Sequence, residues 1–108
     1  MYHPVYVRIV VIGLMFFCAT FTTGCSAPPG NAADGQRWYK MHNCSSCHGP
    51  QGNDGRAINI AGLDMSFYSF VRKLRTTDAP IMPAFPEDRV SKQDAADIYA
   101  YLQSTKGK

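Results

Sequence analysis

Residues 44–48 read C-S-S-C-H, and no other stretch limits so sharply what this chain can become. Three chemistries use closely spaced cysteines. A structural zinc site takes four ligands, as two Cys-x-x-Cys pairs or as one pair with two histidines. The cysteines are Cys18, Cys25, Cys44 and Cys47, and the histidines are His3, His42 and His48. They offer no second pair in register, which argues against zinc. A thiol redox motif expects βαβ surroundings, and none is visible. Covalent haem attachment fits. Two thiols add across the two vinyl groups, so the porphyrin edge dictates their spacing, and a histidine directly after the second thiol supplies an imidazole beneath the iron. The bland alternative is two surface cysteines and a chance histidine. It is the weaker reading for an exported chain with no other cysteine to pair with.

Export is read from the first segment. Arg8 is followed by thirteen uncharged residues, Ile9 to Phe21. This is the pattern of a signal peptide, too short to span a bilayer comfortably. An uncleaved anchor is the alternative. The segment ends T-T-G-C-S, which resembles a bacterial lipoprotein signal. Gly24 and Cys25 fit it, whereas Thr22 stands where an aliphatic residue is usual. The expectation is a signal over residues 1–24 with Cys25 lipidated and N-terminal, the rival being cleavage after Ala27. Acylated Cys25 would anchor the protein to a membrane. No disulfide is predicted: Cys18 leaves with the signal, and Cys44 and Cys47 carry haem.

The remaining 84 residues form one domain, too small for a large core and in need of a staple, which a bound haem supplies. Ten Lys and Arg stand against eight Asp and Glu in it, a balance too weak to argue for nucleic acid. Residues 25–32 (CSAPPGNA) read as a flexible tether and 33–108 as the folded domain. A first helix is expected over Ala33–Asn43. The glycines between Gly49 and Gly62 mark a loop. Phe67, Phe70, Val71 and Leu74 repeat at helical spacing within a second helix, Asp64–Arg75. Pro80, Pro83 and Pro86 keep Thr76–Asp88 extended or turned. The clearest helix is Ser91–Thr105, with Ser91 as N-cap, Asp94 at its third position, and Ala95, Ile98, Tyr99 and Leu102 on one face. No strand is expected.

In this order the pieces resemble a small bacterial class I c-type cytochrome over about residues 33–105. The pieces are Gly35 with Tyr39 four residues later, C-S-S-C-H-G, the loop G-P-Q-G-N-D-G, M-P-A-F at Met82–Phe85, and D-I-Y-A-Y-L at Asp97–Leu102. The resemblance implies an all-α fold, three to five helices around one covalently attached haem c. Two departures stand out. Ile58 occupies a place where such proteins often have a proline whose carbonyl orients the haem histidine. Tyr39 lies five residues before Cys44 rather than four, which calls for a longer first helix or a bulge at His42.

His48 is expected to bind the iron through Nε2, with Nδ1 donating to a backbone carbonyl. His42 reads as a surface residue at a helix end. Met82, in a proline-flanked loop that cannot be helical, is the expected second axial ligand. Met65 reads as a core gap-filler, and Met41 shares the poor placement of His42. A His/Met pair leaves no open position on the iron and raises its potential relative to two imidazoles, so the expected role is one-electron transfer rather than catalysis. Arg72, Lys73 and Arg75 form a basic cluster near the methionine loop. The bland reading is a solvated helix face; the functional one is pairing with haem propionates or docking of an acidic partner, with Arg75 the best propionate candidate. Trp38 and Tyr101 read as packing residues, Tyr101 against the first helix at Gly35. The leading reading is a periplasmic, lipid-anchored carrier between a dehydrogenase or quinol-oxidising complex and a terminal reductase. The alternatives are a haem c module of a larger oxidoreductase complex, a soluble periplasmic form, and a five-coordinate gas-binding or peroxide-reducing protein.

Overall fold

The computed structural model describes residues 4–17 and 26–108. Five helices appear among them and no strand: α1 (Pro4–Phe17), α2 (Ala32–Met41), α3 (Cys44–His48), α4 (Phe67–Arg75) and α5 (Lys92–Ser104). Helix α1 packs against none of the others, and its Val5, Tyr6, Val7 and Ile9 are exposed. No described helix is long and apolar enough to cross a membrane. Cys18, Cys25 and the expected processing site lie outside the described residues.

The domain is built on the crossing of α2 with α5. Gly35 makes it possible: any side chain there would overlap the carbonyl oxygen of Asp97. One turn later Tyr39 meets Tyr101, their ring centroids 5.5 Å apart. Tyr101 therefore meets the first helix at Tyr39, not at Gly35 as expected, because the backbone of Asp97 and Ile98 already fills the space over the glycine. A buried carboxylate reinforces the crossing. Asp97 accepts from the Asn31 amide (2.9 Å), the Trp38 indole (3.3 Å) and the Gln93 side chain (3.1 Å). Trp38 is thereby confined to the helix crossing.

Helix starts follow their caps. The Asn31 side chain accepts from the amides of Ala33 and Asp34. Ser91 and Asp94 form a reciprocal capping box, Asp94 N–H to Ser91 Oγ at 3.0 Å and Ser91 N–H to Asp94 Oδ2 at 3.1 Å. The second expected helix begins three residues late, at Phe67 rather than Asp64, because Ser66 is the cap and accepts from Ser69 N–H. The first ends two residues early, at Met41. His42 caps it, and Asn43 takes a left-handed conformation (φ 58°) from which the separate short helix α3 departs. This turn absorbs the extra residue between Tyr39 and Cys44.

The tether is shorter than expected. Gln93 donates to the carbonyl of Pro29 at 2.8 Å, and Gly30 lies against the backbone of Ala96. From Pro29 onward the chain is fastened to α5, because Asp97 and Gln93 offer polar partners that the sequence of residues 29–32 does not advertise. The loop after α3 is also tied down. Gly62 N–H donates to Leu102 O, and Tyr99 and Gln103 donate to the carbonyls of Met65 and Leu63. Phe67, Phe70, Leu74 and Phe85 close the core over α5, each such side chain stabilising the fold by roughly 1.5–3 kcal/mol.

Candidate haem site

The C-S-S-C-H segment is presented as a short helix whose exit is held by two tyrosines. Tyr39 Oη donates to Gly49 O at 2.8 Å, and Tyr101 Oη donates to Pro50 O at 2.6 Å. Burial pushes the Tyr39 phenol well above its ordinary range, and the neighbouring Cys44 adds to the shift, so it stays a neutral donor. Gly49 itself has φ 79°, a conformation that suits glycine, and the chain turns there into the loop. Ala57 N–H donates back to Cys47 O at 2.8 Å, which folds the loop over the motif.

This return brings Ile58 to His48. The imidazole Nδ1 lies 3.0 Å from the Ile58 carbonyl oxygen. With Nδ1 donating, Nε2 is left unprotonated and able to bind a metal. Ile58 O thus lies against His48 at the place where the resemblance expects a proline carbonyl.

His48 and Cys44 line a cavity of about 200 Å³, together with Ile58, Ile60 and Leu63. Phe70 and Leu74 come from α4, and Ile98 and Leu102 from α5. The proline-rich segment adds Ala79, Met82 and Phe85. The walls are almost wholly apolar. Cys47 is exposed and Cys44 half-buried, and burial pushes the Cys44 thiol up to about 11. The sequence-expected Cys44, His48 and Met82 are thus gathered around one apolar space, with Cys47 on the same short helix.

Other residues fall differently. Met65 also lines the cavity, half-buried, while Met41 is exposed. His42 is not the surface residue expected. The left-handed turn at Asn43 lets its half-buried ring pack edge-on to Phe85, centroids 6.0 Å apart, and it joins the cavity wall. Arg75, the expected propionate partner, donates from Nη1 to Phe85 O at 2.8 Å and is not among the lining residues. The cation that does line the cavity is Lys73, paired at 2.9 Å with Asp78. The hydrogen bond from Lys73 holds the Asp78 carboxyl below its ordinary range. Asp97, unnoticed in the sequence, organises the helix crossing rather than the cavity.

An oriented imidazole, a thioether and the Cys44 thiol around an apolar cavity, with a second thiol three residues on at Cys47, form a soft, low-polarity donor set that fits haem. Fold and site together define a small class I c-type cytochrome, a haem-binding electron-transfer domain. The chain belongs to the family described as cytochrome c oxidase, cbb3-type, subunit III, whose model matches residues 30–102. No curated protein and no solved structure matches it.

Proposed function

We propose that the protein carries single electrons on one haem c, attached through Cys44 and Cys47 and ligated by His48 and Met82. When bound, haem supplies a one-electron couple. The chain's own residues do the rest. Ile58 O fixes the tautomer and orientation of His48, so that Nε2 is the ligating atom. The Met82 thioether, a soft donor lining the cavity, would hold the iron of a bound haem, favour its reduced form and leave no position for a substrate. Phe70, Leu74, Ile98 and Leu102 line the cavity with apolar surface, which would keep water from a bound haem. The observation that carries this reading is the convergence of His48 and Met82 on one apolar cavity beside Cys44. It also speaks against the five-coordinate alternative.

The setting proposed is the periplasmic side of a bacterial envelope, with the signal removed and Cys25 lipidated. Electrons would pass from a dehydrogenase or quinol-oxidising complex to a terminal reductase. A second reading, a haem c subunit held within an oxidase-type complex, is favoured by the family match. Acid–acetone extraction tests the attachment. The unaltered protein retains haem, and a Cys44→Ala, Cys47→Ala double variant releases it or yields no holoprotein. Haem retained through both changes overturns the reading. Membrane fractionation separates the settings: Cys25→Ser should free a lipoprotein into the soluble fraction, whereas an uncleaved anchor would hold it.

A further inference from the structure

Met82 sits in a sparsely supported segment of the domain. Its neighbours Ile81, Pro83 and Ala84 are exposed, and between Ala79 and Phe85 no loop backbone group is hydrogen-bonded to another element. The loop is first secured at Phe85, three residues beyond Met82. There it is secured on every side. Phe85 N–H donates to Leu74 O at 2.7 Å, and Phe85 O accepts from Arg75 Nη1 at 2.8 Å. The ring is buried, with His42 edge-on to it and the Arg89 guanidinium 5.3 Å from its centroid.

Leu74 and Arg75 are the last two residues of α4. The Leu74 carbonyl is one of those a helix end leaves without a partner inside the helix, and the loop supplies its donor. Arg75 answers the other half of the same peptide pair with a charge-assisted bond. Both polar groups of Phe85 are therefore gripped by one helix end. From Phe85 the chain runs back to Met82 through Ala84 and Pro83, with Pro83 and Pro86 limiting φ on either side.

We propose that Arg75 is a positioning residue for Met82: by holding Phe85 O, it straps the loop so that the thioether is presented to the cavity. The inference rests on the reading of Met82 as the iron ligand. Without the strap the loop keeps the Phe85 amide bond and the buried ring with its contacts to His42 and Arg89, but Phe85 O is released and the thioether samples positions away from the cavity.

The test uses the holoprotein with Arg75→Leu, Arg75→Gln, Arg75→Lys and Met82→Ala. Three signals are read: the sulfur-to-iron charge-transfer band of the oxidised protein, carbon monoxide binding to the reduced protein, and peroxide oxidation of the Met82 sulfur by mass spectrometry. R75L and R75Q should weaken the band and speed both carbon monoxide binding and Met82 oxidation by about tenfold or more, with haem still attached. R75K, which keeps a cationic donor, should recover part of each signal. Should R75L not accumulate, R75Q decides alone. Variants that lower only the melting temperature, with all three signals at wild-type values, overturn the strap. M82A separates the two failures: an unchanged band there overturns the ligand itself, whereas a lost band with R75L and R75Q unaltered overturns only the role of Arg75.

Discussion

The Nδ1 nitrogen of His48 lies 3.0 Å from the carbonyl oxygen of Ile58, ten residues further along the chain. Of its polar groups only the carbonyl is used, and Ile58, which borders the cavity, is 79% exposed. The backbone at Ile58 does not have positive φ, and its N–H holds nothing in the loop. Ile58→Pro should therefore keep the imidazole oriented and raise stability by about 0.4–1 kcal/mol, through the unfolded chain's lost freedom. Denaturant unfolding of the two holoproteins measures this. A destabilised variant would show that the loop relies on Ile58 itself.

Both Met65 and Met82 line the cavity, and substitution tells them apart. Met82→Ala should leave haem attached yet lower the potential, each ~60 mV of loss being a tenfold change for a one-electron couple. It should also admit carbon monoxide or cyanide. Met65→Ala should leave potential and spectrum alone and cost about 2 kcal/mol, the low end for a methionine, because the side chain is only half-buried. Redox titration and ligand binding read both. The reverse pattern would move the ligand to Met65.

Asp97→Ala removes one carboxylate and orphans three donors, on Asn31, Trp38 and Gln93. The expected loss is about 3 kcal/mol or more, a fall in melting temperature of more than roughly 10 °C for a domain this small. Asp97→Asn, with one acceptor oxygen left, should lose less. Calorimetry of the two variants checks the order, and a harmless Asp97→Ala would show that the crossing is held by Gly35 and the tyrosines alone.

Before haem is attached, the two thiols should differ. Cys44 is half-buried and its thiol is raised to about 11, chiefly by burial, while Cys47 is exposed. Folding favours the protonated Cys44 thiol. Its contribution to stability is therefore complete below the ordinary thiol value of 9.0 and is lost as pH rises through about 11. Alkylation of the apoprotein with peptide mapping should label Cys47 first, and Cys44 about tenfold faster per pH unit up to that value. Equal labelling at neutral pH would show that Cys44 is not shielded.

What the sequence disclosed was local. The apolar repeat in α4 and α5, the Ser91 cap and the prolines around Met82 each act over a few residues, and each stands where it was expected. The relationships it concealed join distant parts. Asp97 looks like any acidic residue on a helix, yet the backbone donor it binds comes from Asn31, 66 residues away. Arg75 is near Met82 in sequence, but the direction of its guanidinium depends on where Phe85 is buried. The place of His42 turns on a single left-handed residue, Asn43, which no periodicity announces.

The fastening of Pro29 and Asn31 to α5 would limit how far a domain lipidated at Cys25 could travel. Four residue steps separate Cys25 from Pro29, at most about 14 Å of extended chain. A lipid on Cys25 would hold the starting ends of α2 and α5 within that distance of the bilayer. Such a molecule cannot swing across the aqueous space to a remote acceptor. Anchored in that way, it would meet its partners by lateral diffusion in the membrane plane, so the spacing of the complexes in that plane, rather than their bulk concentration, would govern the rate of encounter.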